Sequence, residues 1–132
     1  MKIHNFTVCD LARPEENGKF LLVGVYSNAI VFPRIPAQFN LTMWMLLEHE
    51  ATGDVTFAIR GRMPESDQDL FEISADATVT DIRPWNPLVL SASILIGQSG
   101  PMVIEAKIDS GEWFELRRLF IQRQVPVKNT RD

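Results

Sequence analysis

The sequence predicts an all-β fold, a single antiparallel β-sandwich of about seven to nine strands. Alternation of apolar and polar residues is the first reason. Phe71, Ile73, Ala75, Ala77 and Val79 alternate with Glu72, Ser74, Asp76, Thr78 and Thr80. Successive strand residues point to opposite faces, so this run reads as a strand with one wet face. Punctuation is the second. Asn17-Gly18 and Asp109-Ser110-Gly111 separate strand-like runs, and such residues tolerate the positive φ of hairpin turns.

From the N-terminus, Glu16-Asn17-Gly18 marks a turn, and Phe20–Tyr26 follows it. That run is apolar on both faces, which fits a central strand better than an edge. Pro36–Thr52 admits two readings. Pro36, the partly helical spacing of Leu41, Trp44, Met45 and Glu48, and Gly53 as a stop fit a helix. Phe39, Leu41, Met43, Met45 and Leu47 on one face fit a strand, the preferred reading among all-β neighbours. Val55, Phe57 and Ile59 form the next strand. Leu88, Leu90, Ala92, Ile94 and Ile96 form another, as do Met102, Ile104, Ala106 and Ile108. Gly53, Pro64, Pro84, Pro87 and Gly100-Pro101 break the chain between them. Residues 1–124 are expected to form one domain, and 125–132 a flexible tail.

The 132 residues suffice for one domain with a core of its own. A net charge of -4 disfavours non-specific nucleic-acid binding. Cys9 alone can form no internal disulfide, and no apolar run approaches a membrane span. The N-terminus lacks the apolar stretch of a signal peptide. A cytoplasmic protein without membrane attachment is expected.

Catalytic and metal chemistry find little support. Glu48-His49-Glu50 places neighbours on opposite strand faces, whereas catalytic zinc needs converging ligands. Glu65, Asp67 and Asp69 lack the spacing of a full calcium loop. His4 and Cys9 stand five residues apart, so on one regular strand they face opposite ways. No catalytic residue, metal or cofactor is expected. Arg60, Arg62, Arg83, Trp85 and Trp113 remain as a candidate binding patch, since exposed aromatics beside arginine suit a protein-binding hot spot.

Cys9-Asp10, the run Asn17–Tyr26, the edge Phe32-Pro33-Arg34-Ile35-Pro36 and the final hairpin Met102–Ile121 resemble an uncharacterised family of small bacterial β-proteins. The resemblance implies an immunoglobulin-like or fibronectin-like sandwich and carries no activity with it. The first strand of the final hairpin departs from the pattern, with Met102 and Val103 where an aromatic is expected. The function expected is a non-enzymatic interaction module whose partner is a protein, a second copy of the chain included. The alternative is a module for a small ligand or carbohydrate.

Overall fold

A computed structural model of the chain describes residues 1–125. The expected tail beyond Val125 lies outside the described residues. Nine strands form among the described residues: β1 (Lys2–Pro14), β2 (Phe20–Val25), β3 (Ala29–Phe32), β4 (Ala37–Glu48), β5 (Gly53–Met63), β6 (Gln68–Val79), β7 (Asn86–Ile96), β8 (Gly100–Ile108) and β9 (Phe114–Arg123). They make two sheets, ordered β2-β1-β4-β7 and β3-β9-β8-β5-β6. The expected single antiparallel arrangement needs one correction. β3 runs parallel to β9, from Ala29 opposite Phe120 to Phe32 opposite Arg123, while every other pair is antiparallel. A parallel pair needs a long connection, and here nearly the whole domain supplies it.

The sheets share one core. Val8, Leu41, Met43, Met45, Leu47, Ala92, Ile94 and Ile96 come from the first sheet. Phe57, Ile59, Met102, Ile104, Ala106, Leu119 and Ile121 meet them from the second. Pro36–Thr52 resolves as strand. Leu41, Met43, Met45 and Leu47 are buried, and Trp44 and Leu46 between them are less so. The helical alternative loses because a helix would carry Met43 and Met45 away from a face that the sheet keeps continuous. Asn17 and Gly18 both take positive φ, 64° and 74°, as the hairpin between β1 and β2 requires.

Two expectations about the N-terminal strands fail. β2 is an edge strand and not a central one, and Leu21, Val23 and Val25 are 44–55% exposed. His4 and Cys9 share a face and do not oppose one another. Asn5, at φ 55°, inserts one extra residue between His4 opposite Leu46 and Thr7 opposite Trp44, and this bulge reverses the alternation.

The β1–β2 hairpin also curls. Pro14 pairs with Phe20 while Thr7 pairs with Trp44. Seven residues span about 23 Å along a flat strand. The Phe20 and Trp44 rings nevertheless stand 6.2 Å apart between centroids. The hairpin therefore folds back over the sheet and brings Phe20 and Leu22 above Trp44 and Leu46.

Candidate functional site

Alternation along β4 turns Trp44 and Leu46 away from the common core, because Met43, Met45 and Leu47 occupy it. The folded-back hairpin covers them with Phe20 and Leu22. The loop between β6 and β7 adds Trp85, and Pro87 closes the wall. The result is a groove of about 480 Å³ lined by Phe20, Leu22, Trp44, Leu46, Trp85 and Pro87, with Glu15 and Lys19 at its rim. Pro87 is tolerated inside β7 because β7 is the far edge of its sheet.

Trp85 is held in place by a stack. Its ring lies parallel to His4, with centroids 4.2 Å apart and planes 5° from coplanar. His4 Nε2 is in turn 2.6 Å from Glu48 Oε1. Lys2 pairs with Glu48 and His4 with Leu46, so the β1–β4 register brings imidazole and carboxylate together. Trp44 Nε1 is shielded from water and has no hydrogen-bond partner among the described residues. An unpaired buried donor costs on the order of 1–3 kcal/mol.

The five residues proposed as one patch divide between opposite surfaces. Arg60 and Arg62 do share a face, the outer face of the second sheet, because Ile59 and Met63 point into the core. Trp113 joins them there. Its ring lies under the Arg60 guanidinium at 4.0 Å and near Lys107 Nζ at 5.7 Å. Arg60 Nε donates to Glu105 Oε1 at 3.0 Å. The cation on Trp113 is thus already the chain's own. Arg62 stands 3.5 Å from Asp67 and 3.4 Å from Asp69, two of the three acids weighed as a calcium loop. Trp85 lies on the outer face of the first sheet. Arg83 beside it forks onto Asp81, with Nη2 to Oδ2 at 2.8 Å. That fork holds the Asp81 carboxyl below its ordinary range and raises the guanidinium.

The curated proteins contain no match to the chain. Residues 4–112 match DUF6941, a family of unknown function. The chain belongs to DUF6941. In this family member the matched span contains all of β2 to β8, and with them every residue lining the groove. β9 lies beyond it. No helix among the described residues is long and apolar enough to cross a membrane.

Sequence reasoning considered His4 and Glu48 singly and missed their pairing, and it missed Phe20 and Leu22 as groove residues. His4 and Glu48 are 44 positions apart, and nothing local marks their register. Asn5 in an otherwise strand-like stretch was the one visible signal, since asparagine accepts the positive φ of a bulge.

Asp10 and Tyr26 hold the base of the hairpin. Tyr26 donates its hydroxyl to Asp10. Burial and that carboxylate push the Tyr26 phenol up to about 12. Burial likewise raises the Cys9 thiol. Gly24, at φ 67°, faces the Asp10 side chain so closely that a Cβ would come within 2.8 Å of Cγ.

Proposed function

We infer that the chain is a non-enzymatic interaction module that presents the edge strand β2 to a protein partner. One observation carries this reading: β2 exposes Leu21, Val23 and Val25, and neighbouring Leu11 is 48% exposed. Edge strands are normally blunted by charge, proline or brevity. The other edges have such devices. β6 carries Asp69, Glu72 and Asp76, β7 begins with Asn86-Pro87, and β3 is four residues long. β2 carries no charge and no proline. An added strand would take up its free backbone groups and cover the apolar side chains.

Immunoglobulin-like or fibronectin-like kinship, bacterial origin and a cytoplasmic location belong to the same reading. Two sheets closed on one core support the first. A single buried thiol that needs no oxidising compartment supports the last.

The test is Val23→Lys, which keeps the strand exposed and places a charge on it. Cross-linked partner or homo-oligomer is expected to disappear with Val23→Lys and to persist with Trp113→Ala, on the opposite surface. Persistence with Val23→Lys would remove the edge from the proposal.

A second reading, a module for a small ligand, is favoured by the groove at Trp44 and Trp85.

A further inference from the structure

We propose that the groove between the folded-back hairpin and the β4 face binds a planar aromatic small molecule carrying an anionic group. The inference rests on the small-ligand reading and gives it a chemical class.

Size comes first. A groove of about 480 Å³ falls within the usual range for small-molecule sites, roughly 300–1,000 Å³. The walls decide the body of the ligand. Phe20, Trp44 and Trp85 supply three aromatic surfaces, and Leu22, Leu46 and Pro87 fill the rest. A sugar brings several hydroxyls per ring and would leave most of them facing hydrocarbon, where each lost hydrogen bond is unfavourable. A flat apolar ring meets no such penalty.

Preorganisation supports stacking. One face of Trp85 rests on His4, and Glu48 fixes His4. The indole is held flat before anything binds, so little side-chain freedom is lost on binding.

The polar groups decide the substituent. Trp44 Nε1 is shielded behind the groove wall, so the substituent is met at the rim. Lys19 stands at the rim and forms no ion pair among the described residues. A carboxylate entering beside Phe20 would meet the ammonium. Glu15 on the same rim repels an anion placed near it, so the anionic group belongs at the Lys19 side.

The experiment follows the three indole N–H resonances of the ¹⁵N-labelled chain during titration with 2-naphthoate, and separately with maltose. Each signal is assigned from a Trp→Phe variant. Saturable movement of the Trp44 and Trp85 signals by naphthoate is expected, with Trp113 unmoved. Trp85→Ala is expected to weaken naphthoate about tenfold, the scale of one lost aromatic stack. Lys19→Gln is expected to weaken naphthoate and leave the neutral 2-naphthol unchanged. Equal movement of all three indoles would overturn the proposal, because it shows non-specific adsorption. A response to maltose in place of naphthoate would overturn the aromatic class and leave the small-ligand reading standing. No response to either at millimolar concentration removes both. Should Trp85→Ala fail to fold, Lys19→Gln and the naphthol comparison decide alone.

Discussion

Gly61→Ala is expected to destabilise the domain although alanine is the smallest addition available. Gly61 lies between core-facing Ile59 and Met63, opposite Phe71 on β6, where the β5–β6 register slips. The Phe71 ring fills the space that a Cβ would occupy. A methyl there would stand 2.8 Å from Cδ1 and 3.0 Å from Cζ, with Cε1 closer still. Phe71 must leave its position, and it packs against the core. Overpacking of this kind costs about 1–3 kcal/mol. Loss of glycine's freedom in the unfolded chain offsets roughly 0.4–1 kcal/mol of that. A net loss of roughly 0–2.6 kcal/mol remains, which at this chain length lowers Tm by up to roughly 10 °C. Calorimetry on Gly61→Ala reads it directly. Gly97→Ala is the control, because nothing lies within 4 Å of its Cβ and no strained φ is involved. A second step, Phe71→Leu in the Gly61→Ala background, should recover part of the loss, since the smaller side chain yields room. A raised Tm for Gly61→Ala alone, or a Tm change no different from that of Gly97→Ala, would refute the reasoning.

Met43→Ala, at a fully buried β4 position, should lose about 2–5 kcal/mol in urea unfolding, and a loss under 1 kcal/mol would contradict its place in the core. Tyr26 is the single tyrosine, so tyrosinate absorbance reports it alone. The folded chain should titrate near pH 12. Because the raised value favours the neutral phenol, its contribution to stability is complete below about pH 10 and fades as pH rises through the folded value. Asp10→Asn should lower that midpoint. The Asp81 carboxyl should titrate below its ordinary value by NMR, and Arg83→Ala should raise it. Whatever this depressed carboxylate contributes is present above its ordinary range and lost as pH falls through the lowered value. Cys9 should resist iodoacetamide in the folded chain and react once urea unfolds it, as a buried thiol does.

Much of the fold was legible because period-two patterning states directly which residues face a core. β5, β6, β7 and β8 emerged from Phe57, Ile73, Ile94 and Ile104 and their neighbours. The position of β2 was not legible. Apolar side chains on both faces signal burial on both sides, and Phe20 does find Trp44, but Val23 and Val25 stay about half exposed among the described residues. Sequence gives the hydrophobicity of a strand and not whether its cover belongs to the same molecule. The candidate site was half legible. Trp85 was recognisable as an aromatic on a rigid loop, yet its neighbours His4 and Trp44 come from registers set by a bulge. Trp113 was recognised beside arginine, and its ring is taken by Arg60 from across the sheet.

The parallel pairing of β3 with β9 has a consequence for synthesis. β3 emerges from the ribosome while β9, its sheet partner among the described residues and some ninety residues later, has yet to be made. Until Phe120 and Ile121 arrive, Ile30 and Phe32 have no strand to lie against, and the second sheet lacks an edge. Closure waits for the last strand, so the nascent chain passes through a state in which the apolar β2 is displayed before the domain can lock. A chaperone that shields extended segments, or a partner already waiting for β2, would meet the chain at that moment.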